Sequence, residues 1–225
     1  MRTISLFCTQ LSQQLYIYVV VMSISLLLSF LLLLKKITPL FFKTFSPFLL
    51  LSIIVELIGA MLIRDGKSTT PLYNIYTTLE VVFYLWILLN ILQGKLLKKI
   101  LICCIIIYPA ISLIDIYFIQ GIEHFHSTSY SLGCLLLVLF SILYFFQLFA
   151  RPSAIRLTRE PSFWICTGLL MFYSISFPLF AFANFMTTFP NILAKNLQNI
   201  LIVLNVLLYL LFSIAFLCKI RIRKS

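Results

Sequence analysis

The apolar residues of this chain are gathered into seven runs of about 20, the length a helix needs to cross a hydrocarbon core of roughly 30 Å. Inside lipid every backbone N–H and C=O must be bonded within the protein, so only helices or a closed barrel are open to such a chain. A barrel needs strict alternation of apolar and polar residues, which is absent here. Composition agrees: 62% of residues are hydrophobic, 10% are charged, and mean hydropathy is +1.11. A water-soluble domain carries about 25% charged residues. The expected fold is therefore all-α, a polytopic membrane protein formed as a single bundle of seven transmembrane helices over residues 1–225.

The runs predict helices at 16–34, 47–63, 72–92, 100–118, 129–149, 162–186 and 192–218, with the second the shortest. No cleavable signal is expected, because the first run is too long for a signal-peptide core. Lys35, Lys36 and Lys43 follow the first run, Lys95, Lys98 and Lys99 the third, and Arg151, Arg156 and Arg159 the fifth. Lys219, Arg221, Arg223 and Lys224 end the chain, so these alternate segments hold thirteen of the 17 basic residues. Only Arg2, Arg64, Lys67 and Lys195 fall on the other side. The positive-inside rule then makes the first set cytoplasmic, with the N-terminus outside and the C-terminus cytoplasmic.

A net charge of +11 raises the question of nucleic acid. The basic residues form short clusters between apolar runs, without the aromatic-and-basic pattern of single-strand binders, so no nucleic-acid partner is expected. Anchoring beside anionic lipid accounts for them. Cys8, Cys103, Cys104, Cys134, Cys166 and Cys218 contain no Cys-x-x-Cys, and five lie in or at the ends of the runs, where thiols act as small apolar fillers. No loop is long enough to be a domain, so any cytoplasmic output requires a separate signalling or effector protein.

Ionisable groups inside a membrane are costly and must face protein or water. Glu56, Glu80 and Asp115 are the three carboxylates within the runs. Glu56 lies about 10 Å and Glu80 about 12 Å below the outer boundary, so two acids on consecutive antiparallel helices match in depth; Asp115 lies about 5 Å down. Tyr73, Thr77, Glu80 and Tyr84 follow four-three-four spacing on one face, flanked by Asn74 and Tyr76. Lys195, Gln198 and Asn199 gather on the seventh helix, and the sixth adds Tyr173, Ser174, Ser176 and Asn184.

The candidate ligand-binding set is therefore Glu56, Tyr73, Asn74, Thr77, Glu80, Tyr84, Asp115, Tyr173, Asn184, Lys195 and Asn199, around an outward-facing polar pocket between helices two, three, six and seven. One of two like charges in a poorly hydrated site is expected to be protonated. The same acids also suit a purely structural role, joining helices by hydrogen bonds, or proton and ion handling. No cofactor, metal or catalytic set is expected. His124 and His126 form a His-x-His in an outer loop, where a third metal ligand is lacking and a solvated loop is expected. Pro109 and Pro178 are expected to kink helices four and six. Gly59, one turn from Glu56, gives room for helix three to approach.

Seven spans with the N-terminus outside are shared with rhodopsins and G-protein-coupled receptors, but the chemistry is not. No lysine lies deep in helix seven, Asn90-Ile91-Leu92-Gln93 stands where receptors carry Asp-Arg-Tyr, and Asn205 and Tyr209 occur without the intervening proline. Zinc hydrolases of the alkaline ceramidase and adiponectin receptor type need three membrane histidines and are excluded. A lysoplasmalogenase-like hydrolase using carboxylates remains open. Tyr73-Asn74-Ile75-Tyr76 with Glu80, Phe163-Trp164-Ile165, Gly168, Asn184 and the stretch 199–212 resemble a family of small, uncharacterised seven-span inner-membrane proteins of Bacteroidetes-type bacteria. The likeness extends over most of the chain and departs at Ser176-Phe177-Pro178. It implies the same seven-span fold in a bacterial inner membrane and names no activity. A non-enzymatic sensor or regulatory subunit is the leading expectation, with a lipid-processing hydrolase or a proton- or ion-coupled transporter subunit as alternatives.

Overall fold

The structure, a computed structural model, describes residues 2–33, 39–150, 157–183 and 191–221, and side chains over 18–33, 39, 41–150, 158–182 and 199–220. Asn184 and the basic residues Lys35, Lys36, Arg151, Arg156, Arg223 and Lys224 lie outside the described residues, as do the side chains of Lys195 and Gln198. The helices are α1 (Arg2–Leu33), α2 (Leu40–Arg64), α3 (Thr70–Ile91), α4 (Lys95–Ile114), α5 (Ser127–Phe149), α6 (Pro161–Ala183) and α7 (Asn191–Arg221). A π-helical turn, Asp115–Ile119, continues α4, and a 3₁₀ turn, Leu157–Arg159, precedes α6. No strand occurs among the described residues. Six helices, α2 to α7, are long and apolar enough to cross a membrane, and a shorter apolar stretch, Tyr18–Leu33, lies in α1. The chain is an all-helical, multi-pass membrane protein.

Three helix starts differ from the sequence expectation; α1 begins at Arg2 and not at 16, although its apolar stretch, Tyr18–Leu33, lies within the expected run. Proline favours the first turn of a helix, where its missing N–H costs nothing. Pro47 nevertheless sits inside α2, whose apolar stretch of 24 residues is not the shortest. The preceding turn is held by packing: Phe42 and Phe45 are buried, and Phe45 meets Phe212 and Phe216 edge-on at 5.4 and 5.3 Å. Likewise α4 begins at Lys95, so Lys95, Lys98 and Lys99 form its opening and not a loop. Gly94 before it adopts φ +110°, a conformation that side chains resist. Gln147 of α5 secures this turn, accepting from the Gln93 N–H at 3.0 Å and donating to its carbonyl at 2.7 Å.

Two compact units divide the chain: Met1–Ile53, Leu157–Gly168 and Phe189–Ser225 form the first, Ile54–Arg156 and Leu169–Thr188 the second. In the first, α1 packs along α7 through small polar residues. Ser25 and Ser29, one turn apart, are fully buried; the Ser25 hydroxyl donates to the Tyr209 carbonyl at 2.7 Å and lies 2.6 Å from that of Ser213. Small residues let membrane helices approach closely, and such bonds are worth about 0.6 kcal/mol each. Gly168 serves the same end, since a Cβ there would stand 3.2 Å from Leu208.

In the second unit α3 is the central element, packing on both α4 and α5. Of its apolar stretch 56% is buried, against 28% for α4, because α3 packs extensively on both neighbours while α4 meets α5 only slightly. A Cβ on Gly133 of α5 would come within 2.7 Å of the Tyr108 hydroxyl and 2.9 Å of Val81. That glycine therefore seats α4 and α3 together against α5.

Candidate functional site

The polar residues of α3 are turned inward while its lipid-like residues, Ile75 and Leu79, remain exposed. Asn74, Thr77, Thr78, Glu80 and Tyr84 are buried, and Tyr73 is half-buried. Helical spacing alone sorts them, since residues three and four apart share a face.

At the upper end of this face the polar groups close into a knot around His126. The preceding loop is pinned by Phe125, whose ring lies 5.3 Å from Phe180 of α6 and 5.5 Å from Tyr130. His126 is thereby fully buried, whereas His124 stays exposed. Asn74 holds the loop backbone from below, donating to the His124 carbonyl at 3.0 Å and accepting the His126 N–H at 3.3 Å. Thr77 spends its one hydroxyl proton on the Tyr73 carbonyl at 2.7 Å, so it accepts from His126 Nε2 at 2.8 Å. The proton thus resides on Nε2, and Nδ1 accepts from the Ser129 hydroxyl at 2.7 Å. Burial pushes this imidazole down to about 4, with the charge of Asp115 and a bond to the Asn74 backbone opposing it more weakly. His126 is neutral at physiological pH.

Asp115 belongs to this knot. Its Oδ2 accepts the Ser129 N–H, in the first turn of α5, at 2.9 Å. A carboxylate there satisfies one of the free N–H groups of a helix start and faces its positive end. The π-helical turn brings it there, closed by the Gln120 N–H bonded to the Asp115 carbonyl at 2.8 Å. Gln120 caps the same helix start, accepting from Ser127 N–H at 3.2 Å and donating to Thr128 at 2.7 Å. Below, the Thr78 and Ser112 hydroxyls meet at 2.6 Å. Asp115, His126 and Ser129 do not form a nucleophilic relay: the acid meets the serine backbone and not the imidazole, and all three are buried.

The acid pair, Glu56 and Glu80, forms a second neighbourhood. The Tyr73 hydroxyl donates to Glu56 Oε2 at 3.1 Å, and Gly59 makes the room, because a Cβ there would fall 2.7 Å from that hydroxyl. Glu80 lies within electrostatic reach of Glu56. It is 6% exposed and has no ion pair among the described residues. Tyr108, Tyr130, Cys134 and Tyr173 also lie within electrostatic reach of it. The Tyr173 hydroxyl approaches Glu80 without reaching good hydrogen-bond geometry, and its ring stands edge-on to Tyr84 at 5.9 Å.

The second unit therefore contains Glu56, Tyr73, Asn74, Thr77, Glu80, Tyr84, Asp115 and Tyr173, in two neighbourhoods. Tyr73 and Tyr173 adjoin the acid pair of Glu56 and Glu80, with Tyr84 packed on Tyr173; Asn74, Thr77 and Asp115 serve the His126 knot. Asn199 is half-buried in α7 and belongs to the first unit. His126, which the sequence suggested to be solvated, is the residue most plainly missed. Ser127-Thr128-Ser129 ahead of an apolar stretch is a helix-start signal that sets His126 at a helix boundary. Among the described residues no group of three His, Cys, Asp or Glu side chains is arranged to hold a metal ion. No family model, curated protein or solved structure matches the chain.

Proposed function

We propose that this protein is a non-enzymatic sensor or regulatory subunit of a bacterial inner membrane. In this reading it spans the bilayer seven times with its N-terminus outside, and recognises a small cationic or hydrogen-bond-donating ligand at Glu56 and Glu80. The observation that carries the reading is Glu80: a carboxyl buried in α3, without a cation to balance it among the described residues, and close to a second acid. A buried acid is expensive in a membrane helix, and a group supplied from outside the protein is the balancing partner. Tyr73 and Tyr173 bring hydroxyls to the two acids, and Tyr84 packs on the Tyr173 ring. The basic residues at alternate ends of the helices support the orientation. Output then passes to a separate membrane or cytoplasmic protein.

The test is Glu56→Gln and Glu80→Gln, singly and together, each assayed for folding in detergent and for complementation of a deletion strain. Glutamine keeps the shape and removes the charge. Folded variants that fail to complement support recognition by the acids. Full complementation by the folded double variant refutes it, and failure to fold assigns both acids a role in joining helices.

A further inference from the structure

A groove of about 440 Å³ runs along the outer face of α4 beside α5, lined by Lys99, Cys103, Ile107 and Ile111 with Leu132 and Leu136 opposite. Three features of the sequence create it. Cys103 and Cys104 are small where neighbouring positions carry isoleucine and leucine. Tyr108 is only 1% exposed: its ring turns inward, and the absence of a Cβ on Gly133 lets its hydroxyl sink against α5. The space above the ring is left open. The floor and walls are apolar, except at the end where Lys99 stands.

Lys95, Lys99, Cys103, Ile107 and Ile111 repeat at intervals of four and so form one stripe along α4. The stripe from Lys99 to Ile111 is about 18 Å long, close to half of a roughly 30 Å hydrocarbon core. It matches one leaflet and therefore one acyl chain. At its end stand Lys95, Lys98 and Lys99, all exposed and without an ion pair among the described residues; the first turn of α4 carries no acid. Their stems can lie along the helix while the ammonium groups reach the headgroup layer. An apolar slot one leaflet deep, capped by unbalanced positive charge, is complementary to a lipid with a negative headgroup.

We propose that the α4–α5 groove seats one acyl chain of an anionic phospholipid, with its phosphate held at Lys99 and Lys95 and Lys98 beside it. The site is separate from the acid pair and stands whether or not the acids bind a ligand.

Native mass spectrometry of the purified protein, loaded with phosphatidylglycerol or phosphatidylethanolamine at equal concentration, tests it. Phosphatidylglycerol is expected to be retained preferentially. Lys99→Gln is expected to weaken that retention about fivefold, the effect of one basic residue at an anionic surface. Cys103→Phe fills the slot and is expected to lower retention of both lipids. Ile107→Trp stands in should the first filling variant not fold, and melting temperature establishes folding in each case. Equal retention of the two lipids by the unaltered protein overturns the proposal. So does a preference for phosphatidylglycerol that survives both Lys99→Gln and a folded groove-filling variant. A second copy of the chain found in the groove, detected as a Cys103 crosslink, overturns it too.

Discussion

Acid should destabilise this protein through His126, over a window and by an amount that its burial sets. The imidazole titrates near 6.5 in an unfolded chain and near 4 in the fold. Between those values the unfolded state takes up a proton that the folded state refuses, so the unfolded state gains. Stability contributed by His126 is therefore complete above about pH 6.5, falls by roughly 1.4 kcal/mol per pH unit below it, and levels off near pH 4. The full loss is about 3 kcal/mol. It has a structural source: a proton on Nδ1 abolishes the acceptor that Ser129 uses at 2.7 Å, and the charge would sit in a fully buried site. The charge of Asp115 offsets part of this cost. Unfolding by SDS titration in mixed micelles, between pH 4 and 8, would measure the slope. His126→Gln keeps a donor for Thr77 and removes the titration, and contributions common to both proteins cancel in the difference. Parallel pH profiles for the two proteins, or a histidine protein that becomes more stable in acid, would show the reasoning to be wrong.

Two further outcomes follow from close approaches between helices. Gly59→Ala is expected to cost about 1–2 kcal/mol, because its Cβ would displace the Tyr73 hydroxyl from Glu56; in a Tyr73→Phe background the cost should shrink, and an unchanged cost in the double-mutant cycle would deny the contact. Ser25→Ala removes the bonds joining α1 to α7 and should lower stability in the same SDS assay by roughly 0.6 kcal/mol, with about 1.7 as the ceiling.

Much of the fold was legible because lipid leaves a helix so few options. Apolar runs of about 20 residues identify the spanning helices, since neither loops nor open strands satisfy their backbone in hydrocarbon. Helix ends were less legible. Pro47 looked like a start, yet the turn before it is held by Phe45 against α7, a contact between residues 167 or more positions apart that local pattern does not contain. The inward face of α3 was readable from spacing, since Asn74, Thr77, Glu80 and Tyr84 are buried while Ile75 and Leu79 are exposed.

The sequence by itself determined the solvent of this protein, its helical class and the polar stripe on α3, because these depend on hydropathy and on the 3.6-residue period. Only the tertiary structure decided what each polar residue does. Asp115 resembled Glu56 and Glu80 as a membrane carboxylate, but a π-helical turn delivers it to the start of α5, where it accepts the Ser129 N–H. His126 resembled a loop histidine, but Phe125 packed on Phe180 carries it into the core. In each case the role follows from which distant groups complete a buried hydrogen bond, and that pairing exists only once the helices have met.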